Sequence, residues 1–438
     1  MPYTSRRVII MKEIKPISDL HVTVKIPGSK SITHRAIIAA GLAGGDSLLK
    51  NALECEDTVY TANTLQELGI GIRFEGNNLR VSGSDGKLHS DQDMKELYLG
   101  NSGTSFRLLL SVVALGHGEF VMTGTPRMLK RPIGALVEAL NRLDVKASCI
   151  GHKDCPPVLI HANGISGGKT QIAGNQSSQY LSSLLLSGPY AEKGIEIEVT
   201  GELVSSPYVD ITVDVMEQFS VHVERDQYRY FKISAGQGYK ARQYTVQGDA
   251  SSASYFWAAA AITGGTVTTE NIFPFKTRQG DMGLLDVLSQ MGCSVEKKED
   301  RVTVQGRELS GIDADMSAMP DMVPTLAATA LFAKGTTHIR NVQHLRIKES
   351  DRLRAIATEW NKLGAGVEET KDGLIIPGEA ALTGTDVYPH NDHRIAMSLA
   401  VIGLKVPGVK ISDETCVNKS FPRFWDLWDD LVTAQSFR

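Results

Sequence analysis

Cysteine is scarce. The 438-residue chain has five, at positions 55, 149, 155, 293 and 416, with no CxxC pair and no metal-ligand spacing. So scattered and odd a set excludes a disulfide-stapled secreted scaffold and fits reduced, mostly buried thiols in a cytoplasm. Long apolar runs are also missing. "LLLSVVALG" falls well short of the roughly 20 residues that cross a bilayer, and "MPYTSRRVIIMKEI" holds too short an apolar run for a signal peptide. Met11 is an alternative start, because the organised pattern begins only after it. Excess charge of one sign is absent: 46 basic and 50 acidic residues leave a net charge of −4. With no long basic block, the chain is not a general nucleic-acid or membrane-surface binder. "GLAGG" and "GNSGTS" lack the spacing of nucleotide-binding loops.

A repeat is present. Small-polar clusters open apolar helices at "SKSITHRAIIAAGLAGG" (29–45), "NSGTSFRLLLSVVALGHG" (101–118), "SSQYLSSLLLSGPYAEKG" (177–194), "DASSASYFWAAAAITGG" (249–265), "PDMVPTLAATALFAKG" (320–335) and "NDHRIAMSLAVIGLKVPG" (391–408). The openings recur about every 70–76 residues, a period that signals repeated supersecondary units. Most units carry a second helix that stops at glycine, followed by alternating strands such as "RVTVQG". The units therefore read as β-α-β-α-β elements in two groups of three. The division is expected near "VQGDASSAS" (246–254), and the first strand, "HVTVKIPGS", is expected to pair across it. Two similar α/β domains with a cleft between them follow. The aromatic stripe of "FPRFWDLWDDL" reads as a docking helix.

Helix N-termini leave backbone N–H groups unpaired and attract anions. Serine or asparagine at one such end is ordinary capping. Here the openings carry more polar residues than caps need, and cations crowd beside them. Lys30 and Arg35 lie at the first. Arg127, Lys130 and Arg131 precede a helix, and Lys348 and Arg352 are spaced for one helical face. Arg394 follows Asp392 and His393, and Lys419 sits in "CVNKSFPRF". Arginine suits bidentate binding of phosphate or carboxylate, so the expected ligand bears several negative groups. Asp321 and Glu349 are the acid–base candidates. A cation-rich cleft keeps carboxylates ionised and can hold a lysine in a shifted state. His393 has no second ligand at metal spacing.

The ordered set "PGSKSITHRA", "LGNSGTSFR", "PRMLKRPI", "SSQYLSSLLL", "SSPYVDIT", "GDASSASYF", "MPDMVPTLA", "RIKESDRL", "NDHRIAMSLA" and "NKSFPRFW" resembles the 5-enolpyruvylshikimate-3-phosphate synthase family of enolpyruvyl transferases over nearly the whole chain. The resemblance implies an inverse α/β barrel fold, two domains each of three β-α-β-α-β-β repeats closing on the substrates. One domain would hold residues 1–27 and 248–438, the other residues 28–247. It implies transfer of the enolpyruvyl group of phosphoenolpyruvate to the 5-hydroxyl of shikimate 3-phosphate, with release of phosphate and no metal or organic cofactor. Carried over by motif, Lys30, Asn101, Gly103, Arg131, Gln179, Arg352, Arg394 and Lys419 face phosphoenolpyruvate. Lys30, Ser31, Arg35, Ser177, Ser178, Gln179, Ser205, Tyr208, Asp321 and Lys348 face shikimate 3-phosphate. Glu349 exchanges a proton at C3 of phosphoenolpyruvate; Asp321 and Lys30 act on the 5-hydroxyl. The implied enzyme is a cytoplasmic monomer without nucleic-acid or membrane partners. The chain has His344 and Leu108 where the familiar enterobacterial pattern has asparagine and proline. Gly103 leaves room beside phosphoenolpyruvate, which implies sensitivity to its competitor glyphosate.

Rival readings fit less well. The sister transferase acting on UDP-N-acetylglucosamine carries a cysteine in the loop that reads "PRMLKRPI" here. An RNA 3′-phosphate cyclase-like protein requires a basic RNA groove. A non-catalytic phospho-ligand sensor does not need both Asp321 and Glu349.

Overall fold

In the computed structural model each apolar stretch forms a helix: Lys30–Leu42, Gly103–Ala114, Ser178–Ser187, Ala250–Thr263, Val323–Ala330 and His393–Gly403. The structure describes residues 11–18, 20–89 and 94–433; the alternative start concerns residues 1–10, outside that range. These six inner helices are buried nearly all round. Ala250–Thr263 buries all but its second and last residues, as a helix packed on every side must. A second set, Glu56–Glu67, Gly134–Asn141, Pro207–Gln218, Leu284–Met291, Arg352–Lys362 and Phe424–Thr433, lies outside them. Leu284–Met291 is amphipathic, burying Leu284, Leu285, Val287, Leu288 and Met291.

Among the described residues the strands form five four-stranded sheets and one of three strands. The rule repeats from sheet to sheet. A strand leads into an inner helix, which returns parallel to it; the outer helix then leads to an antiparallel hairpin. Parallel neighbours need such a crossover, whereas hairpin strands need only a turn. In the second sheet Met94–Tyr98 runs parallel to His117–Thr123, which pairs antiparallel with Val158–Asn163. The alternation seen in "RVTVQ" buries Val302 and Val304 and leaves Gln305 exposed. In the three-stranded sheet Met11–Glu13 pairs antiparallel with Lys410–Ser412, taking the hairpin position.

Two strands exchange places. His21–Lys25 pairs parallel with Thr266–Glu270, as the sequence led one to expect, and Gln243–Thr245 pairs parallel with Gly44–Lys50. One apolar core draws on residues from Ile32 to Val246, the other on Ile14–Ile26 together with Ala250–Leu431. The chain passes between them twice, at Gly28 and Gly248, which bridge each other. The two crossings match. A Cβ on Gly28 would lie 1.9 Å from the Asn51 carbonyl oxygen, and one on Gly248 would lie 2.2 Å from that of Asn271. The Asn51 amide donates to Val246, and that of Asn271 to Ile26.

All five cysteines are free, three of them buried. The aromatic stripe docks: Phe424 stacks on Trp428 at 4.9 Å and both meet Phe256. No described helix is long and apolar enough to cross a membrane.

Candidate active site

The inner helices begin at the seam between the two cores, and their first turns carry Lys30, Ser31, Gly103, Ser178, Gln179 and Arg394 of the expected residues. Asp249 serves two of these starts at once. Its Oδ2 accepts from the Lys30 backbone N–H at 2.9 Å and its Oδ1 from that of Ser252 at 3.1 Å. Ser102, Ser177 and Asp392 cap three others. Asp321 is not a cap. It lies in the short turn Pro320–Met322 before Val323–Ala330, and its carboxylate is spent on side chains instead.

Those side chains are cations. Arg352 donates to Asp321 at 2.7 Å, to Glu349 at 2.9 Å and to Asp392 at 2.8 Å. Arg394 meets the other Asp321 oxygen at 2.8 Å, where the Tyr208 hydroxyl also donates at 3.1 Å. Arg131 approaches Glu349 at 3.7 Å and donates to the Asn101 carbonyl at 3.2 Å. Burial opposes ionisation of Asp321, yet Arg394, Arg352 and Lys348 hold its carboxyl well below the usual range. Burial likewise opposes ionisation of Glu349, and Arg131, Arg352 and Lys419 overcome it. Lys348 moves the other way. Burial pushes it down to about 8, against the pull of Asp321.

Lys348 and Arg352 do not share a helical face. Asp351 caps the helix by accepting from the Arg354 N–H, so the helix starts at Arg352 and Lys348 stays extended. Lys348 therefore turns to a cavity it lines with Lys30, Ser31, Ser177, Ser178, Gln179, Ser205, Tyr208 and Asp321. Arg35 lies behind that wall. It is 1 % exposed and bonded to the Ser31 and Tyr208 carbonyls and the Thr212 hydroxyl. Thr104, Gln176 and His344 complete the lining. Burial pushes His344 down to about 4, so at neutral pH its ring is uncharged.

Gln179 ties the cavity to the cation cluster, donating to Thr104 at 3.0 Å and accepting from Arg107 at 2.9 Å. Gly103 faces Arg131: a Cβ there would sit 2.4 Å from the guanidinium. Leu108, one turn on, is fully buried, and its carbonyl accepts from Ser183. Arg127 reaches the Lys348 carbonyl, while Lys130 is exposed.

Asp57 was not anticipated. Its carboxylate takes Lys30 at 3.1 Å and Lys419 at 2.7 Å, and Lys419 also donates to the Asn101 carbonyl at 2.9 Å. Burial opposes its charge, but the two lysines hold it far below the ordinary carboxylate range. In "ECEDTV" it is one of two acids in a helix's first turn, where acids are ordinary complements to the helix dipole. Nothing local separates it from Glu56. The same holds for Asp249 and Asp392, whose capping reads plainly but whose second partners come from distant chain.

A family model described as EPSP synthase (3-phosphoshikimate 1-carboxyvinyltransferase) matches residues 14–428. The chain belongs to the EPSP synthase family. Relatives bearing the name 3-phosphoshikimate 1-carboxyvinyltransferase include that of Shewanella loihica, 44% identical over 95% of this chain and 98% of its own. That of Syntrophobacter fumaroxidans is 43% identical over 96% of this chain and 99% of its own. The solved EPSP synthase of Acinetobacter baumannii superposes with a TM-score of 0.80 at 28% identity, covering 96% of this chain and 97% of that one. This EPSP synthase-family chain is an enzyme that transfers the enolpyruvyl group of phosphoenolpyruvate to shikimate 3-phosphate.

Proposed function

We propose that shikimate 3-phosphate occupies the cavity lined by Ser31, Ser177, Ser178, Ser205, Tyr208 and Lys348, with Arg35 supporting its wall. Phosphoenolpyruvate then lies against Lys30, Asn101, Gly103, Arg131, Gln179, Arg352, Arg394 and Lys419. Arg352 carries this reading, because its single guanidinium holds both Asp321 and Glu349. A substrate phosphate or carboxylate is the natural competitor for such a guanidinium. As phosphoenolpyruvate claims Arg352, Arg394 and Arg131, the two carboxylates lose the charges that keep their proton affinity low. Substrate binding thus prepares its own acid and base.

The 5-hydroxyl attacks C2 of phosphoenolpyruvate and gives its proton toward Asp321, with Lys30 steadying the oxygen. Protonated Glu349 delivers a proton to C3, giving a tetrahedral intermediate. Glu349 then takes a C3 proton back as the C2–O bond to phosphate breaks, and the leaving phosphate takes up the hydroxyl proton held on Asp321. The cations stabilise the departing phosphate charge. Lys30 serves as a fixed cation. Burial works against its charge, but Asp57 raises its proton affinity above that of a free lysine.

The six units would form two domains, residues 1–27 with 248–438 and residues 28–247, each an inverse α/β barrel of three repeats. The separate cores and the matched crossings at Gly28 and Gly248 support this division. One chain supplies every group named, so a monomer suffices, and five free thiols suit a reducing cytoplasm. Gly103 adds no side chain beside the Arg131 guanidinium, which makes glyphosate a competitor of phosphoenolpyruvate. Phosphate release measured with each substrate alone and with both tests the reading. Release should need both, and release from phosphoenolpyruvate alone would overturn it.

A further inference from the structure

Asp281 lies in the turn Gly280–Gly283, outside the residues assigned above, and is 4 % exposed. One carboxyl oxygen, Oδ2, takes the Ser251 hydroxyl; the other, Oδ1, is buried with no partner. The Ser251 oxygen in turn accepts from Arg394 at 3.4 Å, through the same Nη2 that holds Asp321 at 2.8 Å. A hydroxyl that donates once and accepts once fits this relay. The turn is itself pinned. Gln279 accepts from the Ala250 N–H and donates to the Gly248 carbonyl, and a Cβ on Gly280 would strike Pro207 at 2.7 Å.

We propose that Asp281 is a positioning residue, which through the Ser251 hydroxyl fixes the Arg394 guanidinium that phosphoenolpyruvate must find. The charge state of Asp281 sets how firmly it does so. Burial, with Asp321 adding to it, pushes this carboxyl up to about 7, against Arg394 and the Ser251 hydrogen bond, while Asp249 raises it further. Tyr208, the remaining titratable neighbour, stays a neutral phenol because burial and both aspartates raise it. Below about pH 7 Asp281 is neutral and only orients Ser251. Above it, a new negative charge beside Arg394 competes with the incoming anionic substrate.

The inference rests on the reading that Arg394 meets phosphoenolpyruvate, which Arg394→Ala tests separately. With shikimate 3-phosphate saturating, Ser251→Ala and Asp281→Ala should each raise the KM for phosphoenolpyruvate about tenfold, with kcat changed less than about threefold. The double variant should be no worse than either, because the two residues act as one link. Asp281→Asn keeps the acceptor without the charge. It should match the parent near pH 6 and lose the parent's rise in KM above about pH 7. Additive effects in the double variant would overturn the inference, as would an Asp281→Asn profile that rises like the parent's. If Arg394→Ala leaves that KM unchanged, the reading of the site fails. If Arg394→Ala raises it and Ser251→Ala does not, the inference alone fails. Should Asp281→Ala not fold, Ser251→Ala and Asp281→Asn decide the matter.

Discussion

Lys419 reaches across 362 positions of sequence to pair with Asp57 at 2.7 Å. Lys30 binds the other oxygen of that carboxylate. Two lysines from opposite ends of the chain are thereby held about one buried anion, with Asn101 and Gly103 beside them. A buried charge that loses its counter-ion is strongly destabilised, by about 3–5 kcal/mol where pairing is complete.

Asp57→Asn should therefore cut kcat/KM for phosphoenolpyruvate by about 100-fold, since both lysines lose their common anchor. Its stability penalty has a definite pH dependence. Asp57 has a depressed folded-state pKa, so its contribution is fully present above the ordinary carboxylate pKa of about 4 and fades below it. Thermal unfolding of parent and variant should differ clearly at neutral pH and converge in strong acid. A constant difference across that range would refute the assignment.

Gly103 tests the space in front of Arg131. A methyl group there meets the guanidinium at 2.4 Å, so the arginine must move away from the Asn101 carbonyl and Glu349. Gly103→Ala should raise the KM for phosphoenolpyruvate about tenfold or more and leave that for shikimate 3-phosphate within about threefold. Inhibition by glyphosate, measured against varied phosphoenolpyruvate, should weaken in parallel. Equal effects on both substrates would mean that Gly103 serves the backbone rather than the anion.

Glu349 and Asp321 are separable by isotope. Glu349→Gln should lower kcat by about 100-fold or more and abolish solvent-deuterium incorporation at C3 of recovered phosphoenolpyruvate. Asp321→Asn should slow turnover similarly, because the 5-hydroxyl no longer has its acceptor. Near-normal turnover in either variant would remove that residue from the mechanism.

Much of this site was visible in the order of residues, because the repeat places each polar cluster at a helix start and helix starts attract anions. One half of the strand exchange was visible too, in an alternating first strand that ends at Pro27–Gly28; the return pairing of Gln243–Thr245 with Gly44–Lys50 was not. What stayed hidden was pairing over long separations. Asp57, Asp249 and Asp392 each look like a local helix-end acid, and only the fold brings them Lys419, Lys30 and Arg352. Lys348 shows the converse error. Its spacing from Arg352 is helical, but the Asp351 cap starts the helix too late to include it.

That displaced lysine gives the last prediction. Burial lowers Lys348 to about 8, so it sheds its proton as pH rises through that value and the cavity loses a cation. The KM for shikimate 3-phosphate should rise above about pH 8 in the parent, and be raised but flat there in Lys348→Met. Stability runs oppositely. The unfolded lysine titrates near 10.4, so between the two values the unfolded state binds more protons and stability grows with pH. Lys348→Met should accordingly be more stable than the parent at about pH 7, by an advantage that shrinks toward pH 10. A variant less stable than the parent at neutral pH would show that Asp321 repays the burial of this lysine in full.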